Sequence, residues 1–141
     1  MAEFLASEEA KKLLATHVGT SGWQIEIGTM PANPDKIIMI SDTGGQDPNP
    51  KWLLDFPTIQ IMVRGVVSGY LATAREAKAA KDLILGVASF TTSEGDRWVA
   101  ANMNGDLGFI GRDENMRPMF SINFGLIIEP QVVGNSNRLA L

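Results

Sequence analysis

One short motif in this sequence has the residue types of an acid–base catalyst. Asp42-Thr43-Gly44 follows the apolar run Ile37–Ile40 after the single residue Ser41, which places a carboxylate at the end of a predicted strand. Two copies of the chain could bring two such carboxylates together to share one proton, an arrangement that can hydrolyse peptide bonds. The other interpretation of this motif is an ordinary Asx turn, in which Asp42 forms the turn and carries no chemistry.

A second segment agrees with the catalytic interpretation. Phe109-Ile110-Gly111-Arg112 resembles the apolar-apolar-Gly-Arg segment of retroviral-type aspartic proteases, which would act as dimers through Asp42. Two features oppose it: Gly45 stands where alanine or serine is usual, and a strong predicted helix takes the place of that family's glycine-rich flap. We therefore expect a protein that is not an enzyme, and keep the dimeric aspartic protease as an alternative.

The other candidate residues favour structural roles. His17, the only histidine of the sequence, ends the first predicted helix, where the helix dipole favours it. Asp113 and Arg117 flank a polar turn, which predicts a local ion pair. Arg64 ends a strand on its polar face, from which it could pair with Asp113 or face a partner.

Composition limits the class of protein. The chain has 141 residues, no cysteine and one histidine, which excludes a disulfide framework and most zinc sites. Its 12 basic and 16 acidic side chains give a formal net charge of −4, so we do not expect a surface that grips nucleic acid phosphates. No run approaches the length of a membrane span, and an acidic N-terminus does not fit a signal peptide. We expect one domain that stays in the cytosol where it is made.

The elements that must position these residues centre on a strand and a helix. Thr58–Arg64 alternates apolar and polar residues. A helix over about 70–86 has a buried stripe that begins at Tyr70 and is made mostly of alanine, which lets it lie close to a sheet, while Glu76 is predicted on the opposite, polar face. Ser7 is predicted to cap a first helix over about 7–17, and Gly86 to end the second helix in a left-handed conformation. Further strands are predicted near 23–27, 36–41, 97–103 and 119–128. The pattern predicts an α+β fold, a single mainly antiparallel sheet of four or five strands with two helices packed on it.

Two long loops are predicted between these elements, over 42–57 and 104–118. The first contains the cluster Trp52-Leu53-Leu54, which is more apolar than a loop of a monomer needs to be, so we expect it at a subunit interface. The alternative is that Trp52 folds back onto its own core. The complete candidate interface is Trp52, Leu53, Leu54, Arg64, Asp113 and Arg117. Residues 131–141 are predicted to be a flexible tail after a single domain over 1–130.

Several segments in a fixed order carry a resemblance to known proteins. They are Gly28-Thr29-Met30-Pro31 with Pro34-Asp35, Asp42-Thr43-Gly44-Gly45, Pro57–Ile61 with Val63-Arg64, the helix with Tyr70, Ala74 and Ala77, and Gly111–Glu114 with Arg117, Phe120-Ser121 and Asn123-Phe124. Over about residues 10–128 this order resembles the phage minor capsid family, whose members look like tail terminators of long-tailed, siphovirus-type phages. Gly65, where a polar residue is expected, and the segment after Pro130 depart from the pattern.

The resemblance implies a structural virion protein at the tail–head junction, assembled in the host cytoplasm. It implies a closed homo-oligomeric ring, a hexamer, that caps the tail tube protein and joins it to the head-side connector or stopper protein. DNA would pass through the lumen without specific binding. The resemblance brings no catalytic, cofactor-binding or metal-binding residues. A head-side neck or connector component remains the alternative among structural proteins, beside the aspartic protease from another class.

Overall fold

The computed structural model describes residues 5–18, 22–49, 54–86, 90–92 and 96–129. In chain order the elements are α1 (Ala6–Val18), β1 (Gln24–Ile27), β2 (Ile37–Asn49), β3 (Leu54–Arg64), α2 (Tyr70–Leu85), β4 (Phe90–Thr91), β5 (Arg97–Met103), β6 (Gly108–Arg112) and β7 (Pro118–Glu129). They form a seven-stranded sheet in the order β1-β2-β3-β7-β5-β4, with β6 also paired to β7. The β1–β2 pair is parallel and the other pairs are antiparallel. The predicted α+β fold class is confirmed, with more strands than predicted.

Both helices pack on the sheet, as predicted, and the structure places them on the same face. The alternation in β3 buries Ile59, Ile61 and Val63 on this face, beside buried side chains of β7. Helix α1 packs over β1, β2 and β3, while α2 packs over β3, β5 and β7. Ala77 and Ala80 of α2 are almost completely buried, because their small side chains let the helix backbone approach the sheet.

The buried stripe of α2 is rotated from the predicted one. Tyr70 was predicted to be buried, but it is 41% exposed at the start of the helix. Glu76 was predicted on the polar face, but it is buried together with Thr73. The predicted left-handed stop at Gly86 is also wrong, since this residue has a right-handed helical conformation with φ −71° and ψ −12°.

Helix α1 begins one residue earlier than predicted, and Ser7 is not its cap. The helix starts at Ala6, and the Glu8 carboxylate accepts a hydrogen bond from the N–H of Leu5, at 3.1 Å. Ser7 lies inside the first turn and donates its hydroxyl proton elsewhere, to Asp42. His17 lies in the last turn of α1, as predicted.

The predicted loop over 42–57 is mostly strand. β2 continues to Asn49 and β3 begins at Leu54, and the two strands pair with irregularities after Asp42 and after Gln46. Gly44 and Gly45 have φ values of +94° and +123°, and a Cβ on Gly45 would overlap the carbonyl oxygen of Phe56. The two glycines therefore bend β2 within the sheet and do not end it.

The predicted loop over 104–118 is also partly wrong, because β6 lies inside it and pairs with the start of β7. The strands predicted near 23–27, 36–41, 97–103 and 119–128 are confirmed.

On the sheet face opposite the helices, the middle of β2, β3 and β7 carries uncharged polar and methionine side chains. They are partly exposed and include Met39, Ser41, Gln60, Met62, Ser121 and Asn123. Within the described ranges, neither helix is long and apolar enough to cross a membrane.

Candidate functional site

Arg64 is buried at the end of β3, where its guanidinium holds a loop. Nη2 donates to the carbonyl oxygens of Pro31 and Pro34, each at 2.7 Å, and Nε donates to the carbonyl oxygen of Asp35 at 3.1 Å. The residue is 2% exposed. The planar fork of an arginine suits several acceptors at once. From the sequence we expected Arg64 either to pair with Asp113 or to face a partner. In the structure its guanidinium instead binds main-chain carbonyl groups of the loop 31–35.

Arg117 is buried beside Arg64 and joins the same loop to a turn. Its Nε donates to Oδ2 of Asp113 at 2.8 Å, so the predicted local ion pair is confirmed. Its Nη1 donates to the carbonyl oxygen of Ala32 at 2.6 Å and to Oδ1 of Asp35 at 3.1 Å. We call this set of contacts the arginine clamp: Arg64, Arg117 and Asp113 with the loop 31–35.

The contacts within the clamp shift the pKa values of Asp113 and Arg64. Burial alone would raise the pKa of Asp113, but hydrogen bonds from the main chain and side chain of Arg117, its positive charge, and the N–H of Asn115 together lower that pKa below its ordinary value. Burial, followed by the charge of Arg117, lowers the pKa of Arg64 from its ordinary value. The clamp is an ionic and hydrogen-bonded core for this end of the sheet.

An exposed apolar surface lies next to the clamp. We call it the apolar knob; its large side chains are Val67, Tyr70, Leu71, Phe109, Ile110 and Met116, which are 41–63% exposed. The rings of Tyr70 and Phe109 lie 5.2 Å apart, and both contact the ring of buried Phe120 at 5.1 and 5.4 Å. Nη1 of Arg112 donates to the carbonyl oxygens of Val67 and Met116, which joins the segments that present the knob. Exposed apolar clusters of this kind mark contact surfaces between proteins.

The sequence interpretation missed the knob. Tyr70 was predicted in a buried stripe, and Phe109 and Ile110 were predicted in a loop. One signal was present, since these two adjacent apolar residues stand between Gly108 and Gly111 in a predicted loop.

A groove of about 830 Å³ lies between the start of α1 and the β2–β3 hairpin. We call it the apolar groove; its apolar lining includes Leu5, Ala6, Phe56, Pro57 and Ile128, and its carboxylates are Asp42, Asp55 and Asp96.

Asp42 is committed to a structural contact in this groove. Its carboxylate accepts hydrogen bonds from the N–H and the hydroxyl of Ser7, at 3.2 and 2.6 Å. The prediction that Asp42 forms a turn is wrong, because the residue lies in β2 opposite Ile59.

The structure separates the two segments of the protease hypothesis within one chain. Asp42 pairs with Ile59, whereas Phe109 lies opposite Phe120, which pairs with Val63. Four residues of β3 therefore separate the two positions, about 14 Å along the strand.

Three of the six residues of the candidate interface lie close together in the structure. Arg64, Asp113 and Arg117 meet in the clamp. Leu54 is half-buried at the opposite end of β3, and Trp52 and Leu53 lie outside the described residues.

An α+β domain with an exposed apolar knob and an apolar groove has the surfaces of a protein that binds other proteins. The chain belongs to a family described as bacteriophage tail terminator protein. The model of this family matches residues 12–130. Its fold is similar to that of a chain from the virion of a native gene transfer agent particle, with a TM-score of 0.60 and 15% identity over 88% of this chain and 94% of that chain. No curated protein sequence matches. As a member of this family, the chain is a structural protein of the phage tail and a component of the virion.

Proposed function

We propose that this chain is the subunit of a ring that caps the tail tube when the tube reaches its final length and then joins it to the head-side connector. The family match over residues 12–130 carries this proposal. The similar fold of a chain in a gene transfer agent virion supports it, because that chain also belongs to a particle.

The ring is a homo-oligomer, most simply a hexamer, closed by head-to-tail contacts between identical subunits. DNA passes through its lumen without being held. The formal net charge of −4 supports this, because an acidic protein repels phosphates and releases few counterions on contact with DNA. The middle of the sheet face opposite the helices is also free of exposed charge, with Ser41, Gln60 and Asn123 on three adjacent strands.

The residues of the candidate interface have two different roles in this proposal. Trp52 and Leu53 fall between β2 and β3 in the sequence, and Leu54 is the first residue of β3. These three residues supply apolar contact area to a neighbouring protein. Arg64 and Arg117 are buried and already hydrogen-bonded, so they act from beneath the surface, by fixing the loop 31–35 and the turn 113–117.

Electron microscopy of the purified protein with isolated tail tubes tests the function. We expect one ring at one end of each tube, visible after labelling with an antibody and missing from tubes incubated without the protein. A parallel sample with isolated, tail-free heads separates a tail terminator from a head-side neck component. Binding to heads but not to tubes, or to neither, would contradict the proposed function.

A further inference from the structure

We propose that neighbouring copies of this chain contact each other by placing the apolar knob of one copy in the apolar groove of the next. This inference rests on the proposed ring and identifies the two surfaces that close it. The occupant of the groove is a second copy of the chain.

The two surfaces are both apolar, and one of them is a groove. The knob projects exposed aromatic and aliphatic side chains, with Phe109 and Ile110 46% and 47% exposed. The groove is concave and presents Leu5, Phe56 and Ile128. Removing both surfaces from water stabilises the contact in proportion to the apolar area buried.

Their positions make the contact head-to-tail. Phe109 of the knob lies opposite Phe120, near the start of β7, whereas Ile128 of the groove lies near its end. Eight residues of a strand span about 27 Å, so a knob cannot reach the groove of its own chain. A contact between two different surfaces of identical subunits leaves one free knob and one free groove after each addition. Such contacts form a closed ring when the rotation between subunits permits closure.

The charges around the two surfaces are also complementary. The charged residues among the described lining of the groove are Asp42, Asp55 and Asp96. Arg112 is exposed beside the knob, and Arg75 is exposed one helical turn after Leu71. Glu114 adds one acidic side chain on the adjacent turn. Complementary charges of this kind favour the correct orientation of the partner during encounter.

Two variants test the contact, each with a carboxylate on one surface. Ile110→Asp changes the knob and Leu5→Asp changes the groove; both positions are exposed, so each chain should fold. Leu85→Asp is the matched control, because Leu85 is an exposed apolar residue outside both surfaces. Sedimentation velocity measures their association, and circular dichroism measures their folding.

We expect the control to associate like the natural sequence, and each of the two test variants to remain monomeric. An equimolar mixture of the test variants should form dimers and nothing larger, because one intact knob and one intact groove remain between them. Association of either test variant alone at the natural level would overturn the proposal. A mixture that stays monomeric while the natural sequence associates would also overturn it.

Cysteine crosslinking extends the test to protein bound to tails, and applies even if the free chain is monomeric. The sequence has no cysteine, so Ile110→Cys and Leu5→Cys introduce the only thiols. With a flexible bismaleimide, the double variant should give a ladder of crosslinked species and the mixed single variants should give only dimers. No crosslink in either the free or the tail-bound protein would contradict the contact. Normal capping of tubes by Ile110→Asp would overturn this inference alone, whereas failure of the natural sequence to bind tubes would overturn the proposed function.

Discussion

The carboxylate of Asp42 holds the first turn of α1 by accepting both hydrogen bonds that Ser7 can donate. The distances are 3.2 Å from the N–H and 2.6 Å from the hydroxyl, and Ser7 is fully buried. The first N–H groups of a helix have no partner within the helix. Asp42 therefore caps the helix from β2, because its carboxylate accepts a hydrogen bond from an N–H group of the first turn. A capping residue usually lies next to the helix in the sequence.

Removing this carboxylate should destabilise the fold. We expect Asp42→Ala to lower the free energy of unfolding by about 1–2 kcal/mol, and Asp42→Asn to lower it less, because the amide oxygen keeps one acceptor. Denaturant unfolding measures both. Asp47→Ala is the control, since Asp47 is exposed on the same strand. Equal losses for Asp42→Ala and Asp47→Ala would contradict the capping role.

The arginine clamp should be among the most sensitive parts of the molecule. Arg117→Met removes the cation that pairs with Asp113 and Asp35, and leaves a partly buried carboxylate without its main partner. We expect the free energy of unfolding to fall by about 3 kcal/mol or more. Arg75→Met, at an exposed position of α2, should change it by less than about 0.5 kcal/mol. A clamp variant as stable as this control would refute the role of Arg117.

Asp113 should make part of the stability depend on pH. Its pKa in the folded protein lies below the ordinary value, so its contribution is present at neutral pH and is lost as the pH falls through the folded pKa. We expect the difference in unfolding free energy between the natural sequence and Asp113→Asn to be constant above about pH 5, and to shrink below about pH 4. Urea unfolding at a series of pH values measures it. A difference that grows in acid would contradict the lowered pKa.

Gly65 is required by the packing of α2 onto the end of β3. A Cβ at this position would overlap the hydroxyl of Thr73, which donates a hydrogen bond to the carbonyl oxygen of Gly69 at 2.6 Å. We expect Gly65→Ala to cost about 1–3 kcal/mol of stability. In a Thr73→Ala background the same change should cost clearly less, because the hydroxyl is gone. Equal costs in both backgrounds would show that the strain lies elsewhere.

The sequence predicted the centre of the fold because its strands have one buried and one partly exposed face. Alternation in β3 identified the residues that face the helices, and the alanines of α2 indicated close packing on the sheet. The family resemblance rested on the order of short segments, and the match over residues 12–130 confirms it.

The parts that the sequence did not predict depend on contacts between distant segments. Asp42, Gly44 and Gly45 have the composition of a turn, but pairing with β3 keeps them in a bent strand. The rotation of α2, which exposes Tyr70, is set by packing against the sheet and not by the helix pattern alone. The knob depends on both effects, because Tyr70 meets Phe109 only once β6 pairs with β7.

The most direct test of the central claim is the distribution of tail lengths in a phage that lacks this gene. A protein that caps the tail tube at its final length predicts tubes of variable and mostly excessive length, unattached to heads, in electron micrographs of the lysate. Supplying the natural sequence in trans should restore tails of one length that end in a ring. Tails of normal, uniform length in the absence of the protein would contradict the account.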